Sequence, residues 1–214
     1  MRDSLIEAAL ARDVLALEPV TKPALLRHLF ALACRFPAQA LSYNKMLGQL
    51  QDAGNTTTLA NYLILLERAF LVSGIEKYSA GKGRARGSTP KLVPWNNALV
   101  NALDLRSPAD LRTDGGHRGR LVENAVGAHL LNFLPAASFD VTWWRDGDDE
   151  VDFVIRGGDA LWALEVKSGR PGKLAGLTAF CQRYPKARPL IVGSGGVALE
   201  EFFNADPQAV LTAL

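Results

Sequence analysis

Residues 150–167 read EVDFVIRGGDALWALEVK, and this stretch decides the fold of the second half of the chain. Two apolar, strand-like segments flank Gly157-Gly158-Asp159, the pattern of a β-hairpin. Side chains alternate faces along a strand, so Glu165 and Lys167 are expected on one face and Val166 on the other. Asp152 lies early in the first strand, where it can face them across the hairpin. Two carboxylates and one ammonium inside otherwise apolar strands are costly to hold without a partner. A divalent cation is the obvious partner, and oxygen ligands suit magnesium.

Working outward, a helix is expected over 119–134, with Leu121, Val122, Ala125, Val126, Ala128, His129 and Leu130 on its buried face. Glu123 falls in what is expected to be its first turn. Two readings stand for it: a carboxylate stabilised by the helix dipole, or a third acidic group beside the hairpin. Strands are expected at 139–145, 150–156 and 161–167, then a helix over 173–184. The wholly apolar segment 189–192 fits a buried parallel strand, and two short helices close the chain. The run RDGDDE, 145–150, reads as a hairpin turn; it lacks the glycine and terminal glutamate of a calcium loop. Of Trp143 and Trp144, one is expected in the core; the other is expected near a ligand, or packed in the core or at an interface.

The first half is predominantly helical in pattern. Helices are expected over about 3–18 and 24–35, the second with Thr21 as cap and Pro23 in its first turn. Ser42 caps a short helix over 43–51, and Gly54-Asn55 supplies a turn. Thr56 or Thr57 caps a longer helix reaching about Leu71, with Leu59, Tyr62, Leu63, Leu66 and Phe70 as its apolar stripe. A strand over 71–78, the basic loop GKGRARGSTPK and a returning strand KLVPW would form the wing of a winged helix. Lys82, Arg84, Arg86 and Lys91 make this loop a candidate nucleic-acid contact; a solvated loop, or a winged helix that docks protein, has the same pattern. A short helix over 96–104 follows. The polar stretch 107–119 reads as the domain boundary, giving domains 1–106 and 107–214, or as a mobile loop over a site.

Composition sets the bounds. The chain has 214 residues, 48% of them hydrophobic, and a formal net charge of +2. That is enough apolar material for a sizeable core, and too little charge to name a partner. The two cysteines, Cys34 and Cys181, form neither a zinc pattern nor a disulfide framework. The three histidines have no metal spacing, and no G-x-S-x-G elbow is present. No stretch has the look of a signal peptide or a membrane span, so a cytoplasmic protein without a membrane partner is expected.

The order helix, three strands, helix, strand, with Glu123, Asp152 and Glu165-x-Lys167, resembles the PD-(D/E)XK nuclease superfamily. More closely, GRLVENAVGAHLL, WWRDGDDEVDFVI and ALEVKSG look like the C-terminal nuclease-like domain of a large group of prokaryotic AAA+ ATPases, a domain of unknown function. In that family a winged helix precedes it, and NYLILLERAFLV is similar to its recognition helix. ARDVLALE resembles the junction after the ATPase module. The resemblance implies an α/β (α+β) fold: an all-helical, winged-helix domain followed by a restriction-endonuclease-like mixed sheet flanked by helices.

It also implies roles. Asp152 and Glu165, with the backbone carbonyl of Val166, would hold Mg²⁺ or Mn²⁺. Lys167 would orient or deprotonate the attacking water, and Glu123 would contact the metal through water or hold a second ion. Beside this, Lys167 can be read as a simple salt-bridge partner of Glu165 or Asp152. The chain departs from the family at Asn96-Asn97-Ala98-Leu99, where the family often has an acidic residue before Gly-Leu. It contains no G-x-x-x-x-G-K-[ST], so neither an ATP site nor ATP hydrolysis is expected from this chain alone. The expectation is a DNA-binding, Mg²⁺-dependent nuclease-like protein. The alternative is a catalytically inactive module that binds nucleic acid, or docks an ATPase module or partner protein. A regulator using only the winged helix is a third reading. Sequence does not give the oligomeric state.

Overall fold

The structure is a computed structural model that describes residues 20–51, 54–80, 89–169, 172 and 174–213. The helix expected over 3–18 lies outside these residues, as do Lys82, Arg84 and Arg86.

The first half is built on helix α1 (Pro23–Arg35), strand β1 (Gln39–Ala40), helix α2 (Tyr43–Leu47), helix α3 (Thr56–Arg68) and strands β2 (Val72–Ile75) and β3 (Lys91–Pro94). Proline at its first position starts α1, where the missing N–H costs nothing. Its cap residue is Lys22, without a side-chain bond; Thr21 instead shares a hydrogen bond with the Tyr62 hydroxyl. Ser42 caps α2 as expected. Asn55, rather than Thr56 or Thr57, caps α3, because its carboxamide oxygen reaches the Thr58 N–H at 2.9 Å. Helix α3 stops at Arg68, and Phe70 turns left-handed at φ 55°. Phe70 thus leaves the apolar stripe: it is 67% exposed and packs edge-on to Trp95. Leu59, Tyr62, Leu63 and Leu66 are buried as expected, in one core with Leu26, Leu29 and Phe30 of α1.

Strands β1, β3 and β2 form an antiparallel sheet in that order. Alternation along β3 gives it two allegiances. Leu92 enters the core of the first half, whereas Val93, with Ile75 of β2, packs into the core of the second. The two halves therefore share hydrophobic surface.

Helix α4 (Asn97–Leu103), capped by Asn96, links them. The stretch read as a polar loop is helical: α5 covers Pro108–Thr113 and α6 runs from Gly115 to Phe133 with Asp114 as cap. The Ser107 and Asp114 caps outweigh the low helix propensity of Gly115-Gly116. Strands β4 (Phe139–Asp146), β5 (Asp149–Gly157) and β6 (Ala160–Lys167) form an antiparallel meander. Strand β7 (Ala187–Gly193) joins β6 in parallel after helix α7 (Ala175–Arg183). The parallel strand and both hairpins are as the sequence predicts. Gly147 and Gly158 take the left-handed conformation in the two hairpin turns. Helices α8 (Leu199–Asn204) and α9 (Pro207–Thr212) complete the described chain. The fold is mixed α and β, as expected.

The mixed sheet is covered on both faces. Val126 and Leu130 of α6 pack with Phe153, Ile155 and Leu164 on one; Leu177 and Phe180 of α7 pack with Val151, Val154 and Ala163 on the other. Trp143 and Trp144 are both core residues, 2% and 4% exposed, one in each layer. A sheet solvated on one side would have exposed one of them; two helical layers bury both. At Gly127 of α6, an added Cβ would sit 2.7 Å from the Phe153 ring and 3.2 Å from Val93. Gly127→Val is expected to destabilise the fold by about 1–3 kcal/mol through overpacking, measured by denaturant melts; unchanged stability would show that α6 is free to move away from the sheet.

Candidate functional site

The site grows from an irregularity in β5. Thr142 pairs with Val154 but Trp144 pairs with Val151, so β5 carries one extra residue at Asp152-Phe153. This is a β-bulge, a device that re-aims a side chain. Strict alternation would put Val151 and Val154 on opposite faces; both pack against α7. The extra residue turns Glu150 and Asp152 toward α6 and β3.

What they meet there is Lys91. The sequence placed this residue in a basic loop as a nucleic-acid contact. It is instead the first residue of β3, with its side chain 0% exposed, and so it cannot reach a phosphate backbone. Its ammonium donates to Glu123 Oε1 at 2.7 Å and to the Asp152 carbonyl at 3.2 Å. Glu150 Oε1 lies 3.2 Å away and Asp152 Oδ1 3.8 Å. The ring of Phe153 faces the same ammonium, 5.3 Å from its centroid. The pattern KLVP holds the available signal: a lysine two positions from the inward-facing Val93 points the same way as that valine.

Asp152 joins this group to a second. Its Oδ2 accepts a hydrogen bond from the Val166 backbone N–H at 2.8 Å, fixing the carboxylate against β6. One turn of alternation away, Lys167 donates to Glu165 Oε1 at 2.7 Å. Glu165 Oε2 is buried and has no hydrogen-bond partner among the described residues. The structure thus brings Glu123, Asp152, Glu165 and Lys167 into one continuous cluster, with Val166 contributing its amide, and adds Lys91 and Glu150. Arg145 closes the rim by pairing with Glu150. Glu123 is in the third turn of α6, not the first, because the helix begins at Gly115. A helix-dipole role falls away, since that effect fades within one turn.

The electrostatics follow from burial. Removal from water pushes the Glu165 carboxyl up to about 7, and the charge of Asp152 adds to this against the pull of Lys167. Burial likewise raises Glu123, opposed by the Lys91 ammonium. Glu123, Asp152 and Glu150 together outweigh the desolvation of Lys91 and hold it charged.

Asn97 fixes α6 against this arrangement. It donates to the Leu121 carbonyl at 2.8 Å and accepts from Asn124 at 2.8 Å, while Asn124 also donates to the Pro94 carbonyl at 2.9 Å. The departure noted at Asn96-Asn97 therefore builds a contact between the halves. His129 packs among Phe133, Phe202 and Phe203, away from the cluster.

A family model described as "Domain of unknown function (DUF8612)" matches residues 1–110, more than half of the 214. The chain belongs to that family. A second model, "Domain of unknown function (DUF4143)", matches residues 118–204; it is commonly associated with the C-termini of AAA-type ATPases. The DUF8612 match contains Lys91, and the DUF4143 match contains all four carboxylates and Lys167, so the cluster is assembled from both. No curated protein matches the chain. Among solved structures, protein VC1899 from Vibrio cholerae matches at 15% identity, covering 97% of this chain and 50% of that one, with a TM-score of 0.24. The chain spans about half the length of that protein, and a likeness at this score carries no argument. Among the described residues, no helix is long and apolar enough to cross a membrane.

Because Glu165 is more protonated folded than unfolded between about 4.5 and about 7, folding takes up a proton in that window. Its contribution is fully present below about 4.5 and lost as pH rises through about 7. In chelator, the stability of wild type is expected to fall with rising pH across this window. Glu165→Gln is expected to lessen that slope, with Glu123, also raised by burial, carrying the remainder, read by denaturant midpoints at several pH values. Parallel slopes for the two proteins would remove Glu165 from the buried cluster.

Proposed function

We propose that the chain is a nuclease-like protein that binds one divalent cation, Mg²⁺ or Mn²⁺, at Asp152 and Glu165 and hydrolyses phosphodiesters in DNA. The observation that carries this reading is the buried, unpartnered Oε2 of Glu165 beside a carboxylate, Asp152, held rigid by a backbone N–H. A buried carboxylate oxygen without a partner is costly. With every carboxylate ionised, four of them face three cations, Lys91, Lys167 and Arg145, a formal excess of negative charge that a bound cation would favour. Oxygen donors suit a hard divalent ion; among the described residues no group of three or more acidic, histidine or cysteine side chains is arranged to hold one, so an ion at Asp152 and Glu165 would take its other ligands from water and substrate.

The chain's own residues have definable tasks. Asp152 and Glu165 would hold the ion, which when bound acts as a Lewis acid and lowers the pKa of water. Lys167, 20% exposed at the mouth of the cluster and hydrogen-bonded to Glu165, can orient the attacking water and offset phosphate charge. Lys91 and Glu123 hold Asp152 from behind. The order α1-β1-α2-α3-β2-β3 with sheet order β1-β3-β2 supports reading the first half as a winged helix. Helix α3 would be its recognition helix. Its exposed face, Thr57, Asn61, Ile64 and Arg68, carries one cation, so DNA affinity would rest on the basic stretch with Lys82, Arg84 and Arg86.

A second reading has its own observation. The exposed Ile64 and Phe70, 48% and 67% accessible, flank the end of α3 and suit a protein partner better than a phosphate backbone. This favours a docking module, such as one serving the ATPase module of its relatives. Plasmid nicking with Mg²⁺ or Mn²⁺ separates the two. Metal-dependent cleavage is expected, with Lys167→Met slower by about 10²–10⁴-fold and Asp152→Asn reduced to the EDTA background. No cleavage by folded wild type in either metal would sink the nuclease reading and leave docking, with salt-dependent DNA affinity then reporting whether nucleic acid is the docked partner.

A further inference from the structure

Lys91 is the most deeply buried charge among the described residues, and the sequence motif of the nuclease-like half does not contain it. Three carboxylates from two elements, Glu123 on α6 and Glu150 and Asp152 on β5, converge on its ammonium. The rings of Phe153 and Trp143 lie 5.3 and 6.0 Å from the ammonium, and with the Asp152 carbonyl at 3.2 Å every polar group against it is an oxygen. That is the donor set of a hard cation. The separations of 2.7 and 3.2 Å are those of N–H···O contacts, longer than the ~2.0–2.1 Å that magnesium requires.

We propose that the Lys91 ammonium is a tethered cation standing in the place of a second metal ion, delivered to the nuclease-like half by strand β3 of the first half. This rests on the one-cation reading given above. It replaces the expectation that Glu123 serves a metal: both Glu123 and Glu150 are turned to Lys91. A tethered ammonium differs from an ion in three ways. Chelators cannot remove it. It brings one charge instead of two, so the carboxylates around it keep a negative balance that favours a divalent ion at Glu165. It is also fixed in position, since the same strand carries Leu92 and Val93 into two different cores. Lys91 is thus a positioning residue for Asp152, and its presence ties a competent site to correct docking of the two halves.

The test is a count of Mn²⁺ ions bound to the full chain, by equilibrium dialysis with electron paramagnetic resonance of the free ion, for wild type and Lys91→Ala. One ion on wild type and two on the variant are expected. Adding Glu123→Gln to Lys91→Ala is expected to return the count to one. A second ion on wild type would overturn the proposal without any variant, which covers the case where Lys91→Ala does not fold. A folded Lys91→Ala that binds one ion, with wild type also binding one, would overturn it and leave the one-cation reading standing. No ion on wild type but one on Lys91→Ala would remove the one-cation reading and, with it, the claim that Lys91 stands in for a second ion. No ion on either removes both.

Discussion

The buried ammonium of Lys91 constrains much of the rest of this structure. A lysine with no exposed surface can remain charged only if opposite charge surrounds it, and removing either side would strand the other in a poorly solvated interior. Its partners come from α6 and β5, and the lysine itself from β3. The interaction therefore demands that the sheet of the first half, the long helix and the bulged strand meet at one point. The apolar contacts agree with this. Val93 and Ile75 lie in the same core as Val126, Phe153 and Leu164, and Gly127 allows α6 to come close enough for Glu123 to reach the lysine.

Around that point, the structure spends several local devices on geometry rather than on stability. The β5 bulge re-aims Asp152. The Val166 N–H, which would otherwise continue a ladder, is given to the Asp152 side chain. Gly176 lets the start of α7 lie against the backbone of Glu150, where a Cβ would fall 1.9 Å from the carbonyl oxygen. Arg106 joins Asp104, Asp114 and His117 in a network at the start of α6, which holds the helix that carries Glu123. Each feature limits how a carboxylate can move. A site that must hold charged groups at fixed separations needs such support.

Much of the framework was legible in the chain. The hairpin 150–167, the parallel strand near 189–192, the Ser42 cap and the buried face of α3 all follow from periodicity and turn chemistry, which act over a few residues. So does the membership of the acidic set: Asp152 and Glu165-x-Lys167 lie on neighbouring strands of one hairpin, and that pairing is local. Errors occurred where local signals compete. Gly115-Gly116 reads as a breaker, yet the Asp114 cap and the packing of α6 win. Asn55 and Thr56 are both good caps, and the backbone path at Gly54 selects the asparagine. Phe70 continues a helical stripe in sequence but lies beyond the point where the chain turns left-handed.

What the sequence determined by itself is the inventory: a mixed fold, its strands, and a group of charges inside apolar strands that require partners. Apart from the local pair of Lys167 with Glu165, which partner each charge takes was decided by tertiary structure. Lys91 stands 32 residues from Glu123 and 61 from Asp152, and at its own position it looks like the tail of a basic loop. Beyond its two-residue spacing from Val93, nothing near it signals burial, because its burial comes from a helix and a strand that the chain reaches only later. The bulge has the same character: one extra residue in β5 becomes visible only when the partner strand is counted against it. Short-range periodicity fixes elements; long-range closure fixes which charges meet.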